Sequence, residues 1–174
     1  MSFVARLALA FLLFPLTVAA GPPDVIVMGK AIDDIVSLDP AEAYEISGTE
    51  VIGNVYDRLV ESDPRTPGGI LPGLASAWEV EDEGRVFVFH LRQDLRFASG
   101  KPVTAADAAF SLERAVKLDK APALVLRMLG FTKENVAALL SAPDAATLAI
   151  RTPRAVAPSL VLLCLTSSVA SVVE

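Results

Sequence analysis

The chain has one cysteine, Cys164, and one histidine, His90, among 174 residues. A single thiol excludes an internal disulfide framework. A single imidazole excludes a metal centre built on several histidines. Positive charge is scarce too. Fifteen Lys and Arg stand against 21 Asp and Glu, for a formal net charge of −6 and a pI near 4.8. That balance argues against a nucleic-acid partner, whose binders carry a basic patch or stripe. A phosphate-cradling loop is also missing. Gly100-Lys101 invites that reading, but Leu95 stands where the first glycine is required and Pro102 where a Ser or Thr would meet the metal. Proline also removes a backbone N–H from a device made of N–H groups. The sequence has no internal repeat and no low-complexity tract.

What is present suits a packed core: 53% of residues are hydrophobic and the mean hydropathy is +0.51. The first twenty residues have the three parts of a secretory signal peptide. Arg6 supplies the positive charge, Leu7 to Val18 an apolar run, and Val18-Ala19-Ala20 a small-residue cleavage site before Gly21. The run is too short to span a bilayer comfortably. No cysteine follows it to carry a lipid. The domain reading is residues 1–20 as signal peptide and 21–174 as the mature chain.

In the mature chain, Asp24 to Ala31 reads as a buried strand, and Ala41 to Arg58 as a helix with Ile46, Val51, Ile52, Val55 and Leu59 near the 3.6 period. Ser62 to Gly69 is a turn-rich loop. Trp78–Glu81 and Arg85–Arg92 form a hairpin about Asp82-Glu83-Gly84, with Phe87, Phe89 and Leu91 on one face. Thr104 is an N-cap with Asp107 at N3, and Ala105, Ala109, Leu112 and Val116 share a helix face. Val136–Ser141 and Thr147–Arg151 make a second strand pair. Ala155 to Val173 has no charge and meets the length criterion for a membrane span. Pro158 and Thr166-Ser167-Ser168 interrupt it, and it reads as a buried helix running into a strand. The sum is a mixed α/β (α+β) chain.

The residues offer no catalytic constellation. His90 lies mid-strand without a Ser or Cys motif to serve, and reads as a structural or surface histidine. Cys164 among Leu and Val reads as a buried thiol, Trp78 as packing, and Glu42, Glu45 and Glu50 as a solvated helix face. Asp33-Asp34 is either a solvated acidic turn or a seat for a cation or a ligand amine.

Several ordered blocks resemble one family. They are Ser37-Leu38-Asp39-Pro40, then Asn54 to Val60, Leu71 to Val80, Phe89-His90-Leu91-Arg92, and above all Phe97 to Arg114, "FASGKPVTAADAAFSLER". From about Val25 onward the chain resembles the N-terminal part of family 5 extracellular solute-binding proteins, the dipeptide- and oligopeptide-binding components of ABC importers. Ala98 and Ala108 depart from the family's usual choices at their positions. The resemblance implies the N-terminal part of lobe I of a two-lobed periplasmic binding protein of class II type, with the second lobe missing from this chain. It implies transport rather than catalysis, no cofactor and no metal, and a monomer. Its partners would be a peptide or related small solute in a cleft between lobes and an ABC permease in the inner membrane. Across such a family peptides, nickel complexes, sugars and opines all occur. The loop after the first strand borders the cleft, which makes Asp33, Asp34, Ile35 and Val36 the ligand-binding candidates. Two alternatives are a small exported protein tethered by residues 155–173 and an exported enzyme using His90.

Overall fold

The computed structural model describes residues 25–174. The expected signal peptide lies outside them. The chain divides into two compact units, Met1–Ala31 and Ile32–Glu174. In the first, Val25–Ala31 is irregular and exposed, with Ile26 96% and Val27 83% accessible. Over Val25–Ala31, the described part of the strand expected at Asp24–Ala31, no strand is formed. A strand needs a neighbour for its N–H and C=O groups, and no strand among the described residues pairs with this one.

The second unit is built on a four-stranded antiparallel sheet of order β3-β4-β6-β5. Its strands are β3 (Ala75–Glu81), β4 (Val86–Leu91), β5 (Leu140–Ser141) and β6 (Thr147–Arg151). Alternation in "VFVFHL" decides which side of β4 is buried. Phe87 pairs with Ile150 and Phe89 with Leu148, and all four are fully buried. Trp78 opposes Phe89, their ring centroids 6.5 Å apart and tilted, an attractive geometry for aromatic rings. A short hairpin, β1 (Val60–Ser62) with β2 (Ile70–Pro72), precedes the sheet and is closed by the expected loop.

Among the helices, α1 (Ile46–Val55) is shorter than the expected Ala41–Arg58. Residues 40–43 form a turn instead, because Asp39 O accepts from both Glu42 N and Ala43 N at 2.9 Å. Of the five apolar positions in the expected stripe, only Ile52 and Leu59 are buried, while Ile46, Val51 and Val55 are exposed. The second helix, α2 (Ala105–Leu118), starts where the sequence placed it. It lies against β5 and β6 and buries Ala105, Ala108, Leu112, Ala115 and Val116. Two single turns follow, α3 (Leu124–Arg127) and α4 (Val136–Leu139). The α4 turn replaces most of the strand expected over Val136–Ser141. Thr132 and Asn135 exchange side-chain bonds with each other's amides, at 2.8 and 3.2 Å, and this reciprocal cap favours a helical turn over an extended start.

The uncharged stretch Ala155–Val173 contains α5 (Pro158–Leu165). It continues through a 3₁₀ turn at Ser168–Ala170 and a single bridge from Ser171 to Arg58. Val161, Cys164, Leu165, Val169 and Val172 join the core. Among the described residues no helix is long and apolar enough to cross a membrane. The tethered-protein alternative thus loses its segment to the core.

Candidate functional site

The four candidate residues occupy an exposed bend. Asp33 and Asp34 form a turn, with Ile35 N donating to Ile32 O at 3.3 Å. Asp33, Asp34 and Val36 are exposed and Ile35 is half-buried. Asp34 has a structural bond: its Oδ2 accepts from Ser47 N at 3.2 Å. Ser47 is the second residue of α1, and Glu45 at the N-cap position supplies no side-chain bond to that helix. Asp34 therefore brings a carboxylate from thirteen residues upstream to the amide-rich end of α1.

The chain after the bend is held by Asp39. Ser37 Oγ accepts from Asp39 N at 3.1 Å, and Asp39 Oδ1 accepts from Ala41 N at 2.9 Å. Arg114, on α2, closes the arrangement with a two-pronged pair. Its Nη1 donates to Oδ1 at 2.9 Å and its Nη2 to Oδ2. The fork matches the carboxylate. Arg114 holds the Asp39 carboxyl below its usual range, with partial burial opposing and the Ala41 amide assisting, and Asp39 in turn raises the Arg114 pKa. Leu38, Asp39, Tyr56, Phe110, Arg114 and Val173 line a concavity of about 440 Å³. A second, of about 390 Å³, lies among Tyr56, Leu74, Phe97, Val103 and Val172. Residues 33–36 line neither.

The Gly100-Lys101 turn is structural. Phe97 N donates to Lys101 O at 2.9 Å and Gly100 N to Phe97 O at 2.8 Å, so these amides serve the turn itself. Lys101 Nζ lies 2.7 Å from Glu174 Oε1. Thr104 and Asp107 form the reciprocal cap of α2. His90 Nε2 lies 3.4 Å from Glu79 Oε1 on a partly exposed sheet face. Cys164 is buried, and burial raises its thiol pKa. Among the described residues no group of three His, Cys, Asp or Glu could hold a metal. Nothing in this geometry favours the His90 enzyme alternative.

Residues 69–173 match the family described as bacterial extracellular solute-binding proteins, family 5 Middle. The chain belongs to that family. It is 36% identical over 113 residues to the probable D,D-dipeptide-binding periplasmic protein DdpA of Escherichia coli, a match that takes in 63% of this chain and 22% of that protein. Its fold is similar to the unliganded open form of the periplasmic murein tripeptide-binding protein MppA, with a TM-score of 0.70 and 28% identity. It is also similar to Haemophilus influenzae OppA in complex with the peptide RPPGFSPFR, at 0.69 and 27%. Each superposition covers 79% of this chain and 28% of the other. The mixed α/β fold is thus that of this family, and the chain spans 22–28% of the length of these relatives.

Sequence reasoning missed the partner of Asp39. Arg114 sits 75 residues away, and neither residue carries a local signal for the other. Two of the blocks that resembled the family, Ser37–Pro40 and Phe97–Arg114, are joined by this ion pair.

Proposed function

We propose that this chain is the N-terminal portion of a periplasmic peptide-binding component of an ABC importer. Residues 1–20 direct export, and residues 21–174 contribute to one lobe. The similarity in fold to a protein solved with its peptide is the observation that carries the reading. The ligand-facing element is the bend Asp33–Val36. Its exposed carboxylate suits the ammonium of a peptide N-terminus, through a charge-assisted hydrogen bond. Ile35 and Val36 offer apolar contact beside it. The permease in the inner membrane is the partner, and the binding component works as a monomer. The 174-residue chain alone binds peptide weakly, because a pocket must surround most of a ligand's surface.

The test is to express the gene with the DNA downstream of codon 174 and identify copurifying ligand by native mass spectrometry. Short peptides that rebind in titration support the reading. A sugar or opine as the sole ligand overturns the peptide class. Asp33→Asn then weakens binding about tenfold, the loss of one charge-assisted bond, and the difference vanishes for N-acetylated peptides.

A further inference from the structure

Two segments far apart in sequence are fastened to one turn of α2. Arg114 holds Asp39, which organises Ser37–Ala41 through the Ala41 amide. Three residues earlier, Ser111 is 4% exposed. Its hydroxyl donates to Asp107 O at 2.7 Å and accepts from Val173 N at 2.9 Å. Helix positions three apart are neighbours on the surface, so both fastenings act from the same side of α2. Lys101 adds a third tie, to Glu174. The fastened segments, through Leu38–Pro40 and Val173–Glu174, supply parts of one concavity lining, together with Tyr56 and Phe110.

We infer that Ser111 and Arg114 form a clasp that fixes Ser37–Ala41 against Ser171–Glu174, and thereby positions the adjoining bend Asp33–Val36. They are positioning residues, acting on the bend through Asp39 and Val173. The importance of that bend rests on the proposed function; the clasp itself does not. The chemistry favours a coupled device. Loss of the Ser111 hydroxyl leaves the Val173 N–H without its partner, and loss of the guanidinium fork leaves the Asp39 carboxylate unmatched.

Amide hydrogen exchange on the whole chain, without ligand, tests this. Arg114→Met raises exchange in residues 33–45 about tenfold, the effect of losing a charge-assisted bond, and also raises it at Val173. Ser111→Ala raises exchange at Val173 and also in residues 33–45. The β4 and β6 amides stay unchanged in both. Arg114→Lys, which keeps the charge but not the fork, gives the same pattern at smaller size and stands in if Arg114→Met does not fold. The clasp is overturned if each variant loosens only its own segment, or if β4 and β6 exchange rises equally. A chain that binds no peptide would sink the proposed function and leave these exchange results standing.

Discussion

Gly73 illustrates how a single residue can be required by its neighbour rather than by its own conformation. A Cβ built there would sit 2.4 Å from Arg58 O and 3.0 Å from Leu59 O, while the flanking amides of Gly73 and Leu74 donate to those same carbonyls. The backbone cannot retreat without breaking those bonds. Gly73→Ala is expected to cost about 1–3 kcal/mol, as overpacking usually does. Gly100 is the contrast: it has φ +90 and open space around its Cα, so Gly100→Ala costs only backbone strain, about 1 kcal/mol. Urea midpoints of the two variants check the order. Asp39 gives a second residue-scale prediction. Its folded pKa is lowered from 3.8, so its contribution is fully present above the unfolded value and is lost as pH falls through the folded one. Asp39→Asn should be less stable than the parent by about 1–3 kcal/mol near pH 6. The gap should then narrow as pH drops below 3.8. A gap that stayed constant from pH 6 to 3 would show that the Arg114 pair does not supply it.

At the scale of elements, what was legible followed from signals carried within the element. The β3–β4 hairpin was readable because apolar alternation and the Asp82–Gly84 turn reside in one continuous stretch, Ala75 to Leu91. The start of α2 was readable because both halves of its cap, Thr104 and Asp107, are three residues apart. The failures arose where the deciding contact lay elsewhere. Periodicity extended α1 over Ala41–Arg58, but Asp39 had already committed residues 40–43 to a turn. At the other end, Tyr56 turns extended, and the chain runs on to the Arg58–Ser171 bridge. The segment Val25–Ala31 has strand composition, but no strand among the described residues pairs with it. For the candidate site the bend itself was legible as acidic and loop-like, but the tie of Asp34 to Ser47 was not. That tie distinguishes two neighbouring carboxylates that are both exposed: Asp34 also accepts from the Ser47 amide of α1.

At the scale of the molecule, exposed apolar side chains are unevenly distributed along the sequence. Phe87, Phe89, Leu148 and Ile150 are fully buried, whereas Leu38, Tyr44, Ile46, Val51 and Val55 cluster in sequence as exposed. Single exposed apolar residues need no explanation, but a run of them along one helix and its approach marks surface that associates. Ile46 is 80% and Val55 66% accessible, so neither contributes much to the core, and changing both to Asp should leave stability within about 0.5 kcal/mol of the parent. Self-association should change far more. Taken by itself, outside the full binding component proposed to work as a monomer, the 174-residue chain is expected to form concentration-dependent oligomers in sedimentation velocity and to bind an apolar dye. The double Asp variant should stay monomeric and bind less, because charge on such a surface opposes contact between copies. If parent and variant sediment alike at every concentration, this surface does not drive association. If the variant unfolds, the two side chains support the fold in a way that their exposure does not reveal.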